Sequence, residues 1–309
     1  MTQFAFLFPG QGSQSVGMMA GFGDNAIIRN TFTEASDILG VDFWKMATEA
    51  NEAINDTTNT QPIMLIAGVA TWRAWQANTQ ALPTLLAGHS LGEYSALVAA
   101  GAISFADALP LVRYRAEVMQ SAVPAGAGGM AAILGLDDET VREVCIAAAE
   151  GEVLEAVNLN SPGQVVIAGN VAAVERGMAL AKEKGAKRAL ALPVSVPSHC
   201  ALMKPAAAQL ATYLTTVEVN APNIPVIHNA DVKSYTDAAQ IKDALVRQLY
   251  SPVRWVETIQ SMHAQGITQT AECGPGKVLA GLTKRIVAEL PSTALVNNDA
   301  LNEYAALIQ

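Results

Sequence analysis

The chain has 309 residues and a formal net charge of −9, and 51% of its residues are hydrophobic while 15% are charged. This length predicts two domains, or one large domain that carries an insertion, and the composition is typical of a compact folded protein. The acidic balance does not supply the basic surface that phosphate binding needs, so we expect no nucleic acid partner.

The apolar runs and the cysteines exclude several further classes. No run approaches the length of a membrane span, and the first one, at 4–8, is too short and wrongly flanked for a signal peptide. Cys145, Cys200 and Cys273 are far apart in sequence, which argues against a disulfide framework or a zinc site. We therefore expect a cytoplasmic protein with no metal site and no membrane association.

The first part of the chain alternates short apolar strands with helical patterns. Strands are predicted at 4–8 and 82–87 and helices at 28–39, 61–77 and 91–100, with Gly101 as the C-cap of the last helix. This alternation is typical of a parallel sheet whose strands are joined by crossover helices.

A glycine-rich stretch at 124–129 marks a change of organisation. Beyond it, strands are predicted at 130–136, 154–159, 164–168 and 189–194, with helices at 138–150 and 171–184. The order β-α-β-β-α-β is the ferredoxin-like arrangement. We therefore predict a small ferredoxin-like domain, residues 126–196, inserted into a large domain formed by residues 1–125 and 197–309.

The alternation resumes after Pro197, which supports a discontinuous large domain. Helices are predicted at 200–216, 237–249, 252–264 and 277–288, and strands at 224–228 and 269–272. Both ends of the chain thus contribute to one α/β unit, and the predicted fold class is α/β.

Ser90 lies in the sequence Gly88-His89-Ser90-Leu91-Gly92, between a predicted strand and a predicted helix. A serine between two glycines at this position meets the conditions for a nucleophile elbow, a strained strand-to-helix turn of the α/β-hydrolase-like type. The helix amides that follow face any charge that develops near the serine, so the amide of Leu91 is a candidate for an oxyanion hole. The alternative is a serine that caps a helix in a glycine-rich loop.

A serine nucleophile needs a base within hydrogen-bond reach, and the chain has 4 histidines. Three of them, His89, His228 and His263, are better explained as packing or supporting groups, and the ring of His89 should diverge from the serine. His199 follows an extended segment at 193–198 that would deliver it to a cleft between the two domains. It lies in the middle of the chain with no obvious acid to orient it, unlike the histidine of an α/β-hydrolase.

Three spaced motifs together carry a family resemblance. They are Phe8-Pro9-Gly10-Gln11-Gly12-Ser13-Gln14, Gly88-His89-Ser90-Leu91-Gly92-Glu93-Tyr94 and Val196-Pro197-Ser198-His199-Cys200. Over nearly its whole length the chain is similar to the bacterial malonyl-CoA:acyl carrier protein transacylases of type II fatty acid synthesis. That family also carries an inserted ferredoxin-like domain, as predicted here from the pattern alone.

The resemblance implies a set of roles. Ser90 attacks the malonyl thioester, His199 accepts its proton, and the amides of Gln11 and Leu91 hold the oxyanion. A backbone carbonyl, here that of Gln248, orients the histidine in place of a carboxylate. The donor is malonyl-CoA, the acceptor is the phosphopantetheine thiol of holo-acyl carrier protein, and no cofactor is permanently bound. We expect a monomer.

The free carboxylate of a malonyl group calls for a fixed guanidinium that can make two parallel hydrogen bonds. The helical segment 105–119 contains two arginines, which lie about 200° apart around the helix axis at about 100° per residue. Arg115 falls within the apolar stripe, whereas Arg113 does not. Geometry and resemblance both select Arg115. Pro110 should kink this helix and affect the pose of Arg115.

Other positions follow from the resemblance: Met119 as a wall of the acyl pocket, with Gln61 and Asn160 as polar groups near the substrate. Asn160 precedes Ser161-Pro162-Gly163, so a turn would explain it equally well. The basic residues that could meet anionic partners are Lys182, Lys184, Lys187 and Arg188 on the inserted domain and Lys277, Lys284 and Arg285 near the C-terminus. These seven could also be ordinary solvated charges on helix surfaces.

Two other functions remain open at this point. A serine thioesterase or esterase would pass the acyl group to water instead of a thiol. A silent binding module for coenzyme A or acyl carrier protein would keep the fold without acylation of Ser90. The presence of both Ser90 and His199 disfavours the second of these.

Overall fold

A computed structural model describes residues 2–194 and 196–309. The strands are β1 (Phe4–Phe8), β2 (Leu85–Gly88), β3 (Gly128–Leu134), β4 (Leu154–Ser161), β5 (Gln164–Asn170), β6 (Arg188–Ala191), β7 (Val226–Ile227), β8 (Gln269–Glu272) and β9 (Ser292–Ala294). The helices are α1 (Ala26–Leu39), α2 (Phe43–Thr48), α3 (Thr57–Asn78), α4 (Gly92–Ala99), α5 (Phe105–Ser121), α6 (Asp138–Ala149), α7 (Val171–Glu183), α8 (Lys204–Leu214), α9 (Ala238–Gln248), α10 (Trp255–Ala264), α11 (Val278–Ile286) and α12 (Asn298–Ile308). Among the described residues, no helix combines the length and the apolar character needed to cross a bilayer.

The larger layer is a 5-stranded sheet with the order β7-β2-β1-β8-β9, in which every pair is parallel. The side chains of its central strand β1 alternate between two cores: Phe4, Phe6 and Phe8 pack into one, and Ala5 and Leu7 into the other. Helices α3, α4 and α12 contribute to the first core and α10 and α11 to the second. Because helices cover both faces, β1 is apolar along its whole length.

The second layer is a 4-stranded antiparallel sheet with the order β4-β5-β3-β6, and α6 and α7 share a core with it. Its elements follow one another as β3-α6-β4-β5-α7-β6, which confirms the predicted ferredoxin-like arrangement beside a parallel sheet. The domain boundaries themselves, 126–196 within 1–125 and 197–309, stay a prediction.

The glycine-rich stretch lies where the two layers join. A Cβ atom placed on Gly128 would lie 2.5 Å from Cγ of Pro197, so only glycine lets the outgoing and returning chains cross here. Further along, Val253 donates its N–H to the Val157 carbonyl at 2.8 Å and accepts from the Leu159 N–H at 3.0 Å. These bonds tie β4 to the segment before α10 and hold the second sheet beside the first.

Several element ends differ from the sequence predictions. α1 begins two residues early, at Ala26, because the Asn25 side chain caps it by accepting the Ile27 N–H. β7 shrinks to two residues, because the His228 N–H turns back to the Lys233 carbonyl. β6 ends at Ala191, three residues before its predicted end. The predicted extended segment 193–198 includes Ser195, which lies outside the described residues.

Three elements were not predicted at all: α2, β9 and α12. The signal for α12 was present, since Leu301, Tyr304, Ala305 and Ile308 recur at helical spacing and are all buried. Asn297 caps this helix by accepting the Ala300 N–H at 2.7 Å.

The kink expected at Pro110 does not divert α5 from the core. The helix runs without interruption from Phe105 to Ser121, and its N-cap Ser104 accepts the Asp107 N–H at 3.0 Å. Pro110 lacks a backbone donor and its ring crowds the carbonyl of Ala106, so its effect is confined to the first turns of the helix. Arg115 lies more than one turn beyond it and is buried, as the helix geometry predicted.

Candidate active site

Ser90 lies on a sharp turn between β2 and α4, at the carboxyl end of the parallel sheet. Its φ of 52° is a left-handed conformation that strains a residue with a side chain. A Cβ on Gly88 would lie 1.8 Å from the Gly92 carbonyl carbon, and one on Gly92 would lie 2.0 Å from the Phe8 carbonyl oxygen. Both glycines are therefore required by backbone packing, and they form the strand-turn-helix expected of a nucleophile elbow.

Asn229, at the end of β7, fixes this turn. Its Oδ1 accepts the Ser90 backbone N–H at 2.7 Å, and its Nδ2 donates to the Gly88 carbonyl at 2.7 Å. The carboxyl ends of parallel strands meet at one edge of a sheet, so a residue that follows β7 reaches the turn after β2. Sequence analysis did not single out Asn229, because this neighbourhood depends on the strand order.

His199 contacts both the serine and Gln248. The Ser90 Oγ lies 2.8 Å from Nε2 of His199, and Nδ1 lies 2.7 Å from the Gln248 carbonyl oxygen. A carbonyl can only accept, so Nδ1 carries the proton and Nε2 presents its lone pair to the serine hydroxyl. The structure thus brings together three residues that the sequence analysis assigned to one site.

The environment of His199 keeps its imidazole neutral. Burial, together with the nearby Arg115 guanidinium, lowers the pKa of His199 to about 3. The ring is therefore uncharged at neutral pH, which is the form that can accept a proton from a hydroxyl group.

Arg115 is 1% exposed, and its Nη2 lies 3.4 Å from the Ser90 Oγ. Two amide oxygens hold the guanidinium: Oε1 of Gln61 accepts from Nη1 at 2.7 Å, and Oε1 of Gln248 accepts from Nη2 at 2.9 Å. Within residues 2–194 and 196–309, Arg115 forms no ion pair with a carboxylate. Burial lowers the pKa of Arg115, but a guanidinium remains charged in proteins. The site therefore holds a buried cation that an anionic ligand could pair.

Ser90 opens into a cleft between the two layers. Its lining from the larger layer includes Gln11, Gln61, Ser90, Leu91, Arg115, Met119 and His199, and that from the second layer includes Met130, Asn158, Leu192 and Val194. Met119 and Gln61 are in contact, with Sδ 3.7 Å from Nε2. Both line the cleft, while their roles as a wall of the acyl pocket and as a polar group near the substrate stay predictions.

The loop after β1 packs against the serine turn. A Cβ on Gly10 would lie 2.4 Å from the His89 carbonyl oxygen and 3.6 Å from the Leu91 nitrogen. This approach brings Gln11 beside Leu91 at the floor of the cleft. Among the described residues, neither backbone N–H donates to a protein acceptor. Both are therefore free to donate to an oxyanion.

Asn160 lies beside the cleft, not in it. Its Oδ1 lies 2.8 Å from Nε2 of His89, whose ring packs at 5.3 Å from the Trp255 ring, as expected of a packing or supporting group. Asn158 lines the cleft instead, and its Oδ1 is buried without a partner in the described chain. The register of β4 against β5 shifts on both sides of this segment, and a sequence pattern cannot show such irregularities.

Beneath the site lies a buried carboxylate that the sequence analysis missed, that of Glu93. It accepts from His228 Nδ1 at 2.6 Å, from the Asn229 N–H at 2.9 Å and from Gln248 Nε2 at 2.9 Å. A single charge within the otherwise uncharged segment 91–97 was the available signal, because a buried charge needs partners. The sequence analysis explained His228 as a packing or supporting group, and its bond to Glu93 agrees with that interpretation.

These groups can together perform nucleophilic acyl transfer: a hydroxyl, a neutral imidazole within hydrogen-bond reach, two free amides and a buried cation. In the described part of the chain, no group of three or more His, Cys, Asp or Glu side chains could hold a metal ion.

The family model described as acyl transferase domain matches residues 5–298. This range includes every residue of the site, so the class of protein that fold and site define is an acyltransferase.

Similar proteins narrow the class. The chain is 58% identical to the malonyl CoA-acyl carrier protein transacylase of Salmonella typhimurium strain LT2, with 100% of both chains covered. The crystal structure of an acyl-carrier-protein S-malonyltransferase from Burkholderia pseudomallei superimposes with a TM-score of 0.97 at 58% identity, covering 99% of this chain and 100% of that one. A type II PKS acyl-carrier protein in complex with its malonyl-transacylase matches with a TM-score of 0.97 at 51% identity, covering 99% and 100%. The chain belongs to the family of malonyl CoA-acyl carrier protein transacylases.

Proposed function

We propose that the protein transfers malonyl from malonyl-CoA to the phosphopantetheine thiol of holo-acyl carrier protein and so supplies malonyl-carrier protein for fatty acid biosynthesis. The observation that carries this proposal is the buried guanidinium of Arg115, 3.4 Å from the hydroxyl of Ser90 and without a carboxylate partner in the described chain. An unpaired cation beside a nucleophile fits an acyl group that ends in a carboxylate.

The first half-reaction forms a malonyl ester. The Ser90 Oγ attacks the thioester carbon while Nε2 of His199 takes the hydroxyl proton, and the amides of Gln11 and Leu91 donate to the oxyanion. The Gln248 carbonyl keeps the other proton on Nδ1. The tetrahedral intermediate expels coenzyme A as a thiolate, which takes the proton from His199 and leaves as the free thiol.

The second half-reaction reverses these steps with a new thiol. The carrier-protein thiol gives its proton to His199, its sulfur attacks the ester, and the leaving Ser90 oxygen takes the proton back. A thiol has an ordinary pKa of about 8.5, far below that of water, so it gives its proton to this imidazole more readily than water does. This supports a thiol acceptor over the esterase alternative.

In the acyl pocket, we propose that Arg115 binds the malonyl carboxylate. Gln61 and Gln248 hold its guanidinium from two sides. Met119 forms an apolar wall. The reaction then needs no permanently bound cofactor, with coenzyme A present only as part of the substrate.

The acidic carrier protein needs a basic surface for docking. One end of the second sheet supplies basic residues for such a surface. Leu134 pairs with Gln164 on one side and with Arg188 on the other, and the Arg285 side chain donates to Gln164 at 2.8 Å. Arg188, its exposed neighbour Lys187 and Arg285 thus lie at the same end of this sheet, although they are far apart in sequence. We propose that these three, named here the basic edge, contact the carrier protein.

The test is intact-mass measurement of the full chain after mixing with malonyl-CoA. We expect one added malonyl group that disappears on addition of holo-acyl carrier protein, and no adduct on Ser90→Ala. An adduct that persists in Ser90→Ala would refute the assignment. Rapid loss of the adduct in buffer without any thiol would favour the esterase. The domain boundaries, the monomeric state and the cytoplasmic location are further parts of the proposal.

A further inference from the structure

We infer that Glu93 is a positioning residue for the transfer: through two neighbours it holds the base, the malonyl-binding cation and the serine turn. Its side chain bonds neither the reacting atoms nor any described residue that lines the cleft. The inference rests on the proposed function and states how that site is held in place.

The first neighbour is Gln248, whose amide orientation the surrounding groups determine. Arg115 can only donate, so the atom 2.9 Å from its Nη2 is Oε1. The Nε2 end therefore faces Oε2 of Glu93 and the Ser90 carbonyl oxygen, both at 2.9 Å. With its side chain held at both ends, Gln248 keeps its backbone carbonyl against Nδ1 of His199 at 2.7 Å.

The second neighbour is Asn229. Oε2 of Glu93 accepts its backbone N–H at 2.9 Å, and its side chain in turn bonds the Ser90 N–H and the Gly88 carbonyl. One carboxylate oxygen thus anchors both the residue that orients the base and the residue that fixes the strained turn.

Glu93 also compensates the charge of Arg115 without touching it. Both side chains are buried, at 0% and 1% exposure, and the Gln248 amide lies between them with its oxygen toward the cation and its nitrogen toward the anion. A direct ion pair would occupy the guanidinium. Separation by one amide leaves Arg115 available for a carboxylate ligand, while its burial is still balanced.

The other carboxylate oxygen supplies a matched control. Oε1 accepts from Nδ1 of His228 at 2.6 Å, and His228 is not among the described residues that line the cleft. Removing His228 therefore disturbs the buried Glu93 carboxylate from the side away from the site. Any loss that comes from destabilisation alone should be shared by variants at both positions.

The experiment measures single-turnover acylation of Ser90 with malonyl-CoA and with acetyl-CoA in the full chain. We expect Glu93→Ala to slow acylation by about 100-fold with acetyl-CoA, because a displaced base acts on the chemical step, and by more with malonyl-CoA, because Arg115 shifts as well. The loss should appear in the maximal acylation rate with acetyl-CoA, and in both that rate and the half-saturating donor concentration with malonyl-CoA.

In Glu93→Gln most of the acylation rate that Glu93→Ala loses should be retained, to within about tenfold of wild type. Its amide oxygen can still accept from Gln248 and Asn229, while its NH₂ group faces His228, which can change tautomer to accept it. His228→Ala should stay within about threefold of wild type even if it lowers the melting temperature. Wild-type rates in both Glu93 variants, or equal losses in His228→Ala and Glu93→Ala, would overturn the inference.

A double-mutant cycle decides the matter if Glu93→Ala does not fold. Gln248→Met removes the amide link but keeps the backbone carbonyl, so Glu93→Gln should have a smaller effect in that background than in wild type. Fully additive effects would refute action through Gln248. Absence of acylation in the wild-type chain would instead refute the proposed function itself, so the two failures are distinguishable.

Discussion

Nδ1 of His199 lies 2.7 Å from the carbonyl oxygen of Gln248, so a backbone group orients the base of this site. The buried carboxylate of Glu93 does not touch the imidazole and instead bonds the Gln248 side chain at 2.9 Å. A carbonyl stabilises an imidazolium less than a carboxylate does. The imidazole therefore accepts and returns protons without being held in its charged form.

The pH dependence should follow from the neutral state of His199. Its pKa of about 3 lies far below the ordinary 6.5, so the base remains unprotonated on lowering the pH. We expect the single-turnover acylation rate to be constant between about pH 8 and pH 5. An acid limb centred near 6.5 in this rate would show that the imidazole is solvated.

The same burial affects stability with a defined sign. Below pH 6.5 the unfolded chain takes up a proton that native His199 does not, so its contribution is complete above 6.5 and is lost as the pH falls toward about 3. In His199→Gln the free energy of unfolding should therefore decline less steeply over this window than in wild type. Denaturant titrations at several pH values measure the difference, and identical slopes would contradict it.

Arg115→Ala should lower malonyl transfer more than acetyl transfer. A lost charge-assisted hydrogen bond costs about 2 kcal/mol, which corresponds to about a thirtyfold fall in the malonyl-to-acetyl ratio. Acetyl transfer should fall as well, because Arg115 also bonds Gln248. Arg113→Ala is the control, since Arg113 lies on the same helix but bonds the Leu39 carbonyl instead. An unchanged ratio in Arg115→Ala would show that Arg115 does not read the carboxylate.

The close backbone approach at the serine turn should make Gly92 irreplaceable. A Cβ there would lie 2.0 Å from the Phe8 carbonyl oxygen, so Gly92→Ala should destabilise the protein by about 3 kcal/mol or more. Gly281→Ala is the matched control. It lies in α11, where the added methyl group would have no atom within 4 Å apart from its chain neighbours and the backbone of its own helix, and the change should stabilise by about 0.5–1 kcal/mol. Chemical denaturation of both variants checks the contrast, and a stable Gly92→Ala would contradict it.

Reversing charge on the basic edge should weaken carrier-protein docking only. We expect Lys187→Glu with Arg188→Glu to raise the KM for holo-acyl carrier protein about tenfold at low salt and less at high salt. Acylation of Ser90 by malonyl-CoA should not change, because this edge lies outside the cleft. Lys45→Glu with Lys242→Glu, on α2 and α9, makes the same change in net charge and is the control. Equal effects of the two changes would refute a specific docking site.

The parts of the site that depend on neighbouring residues in the chain were predictable from the sequence. The turn around Ser90 follows from backbone sterics at Gly88 and Gly92, and the inward face of Arg115 follows from helix periodicity, so both were read correctly from neighbouring residues. Gln11, Gln61 and Met119 lie at the cleft as the family resemblance implied. The family motifs identified these three residues, which periodicity alone could not have done.

Contacts between distant segments escaped the sequence analysis. Asn158 and not Asn160 lines the cleft, because register shifts in β4 change which side chains point there. Glu93 stood inside a quoted motif, yet its partners Asn229 and Gln248 are more than 130 residues away along the chain.

The sequence by itself determined the α/β class, the inserted β-α-β-β-α-β unit and a serine poised on a turn between strand and helix, because each depends on sterics and periodicity within a short window. The family resemblance named the Gln248 carbonyl, but only the tertiary structure decided which carboxylate bonds the Gln248 side chain and why Arg115 has no anionic partner among the described residues. Those outcomes depend on strand order and on burial, through which groups remote in sequence share one low-dielectric interior.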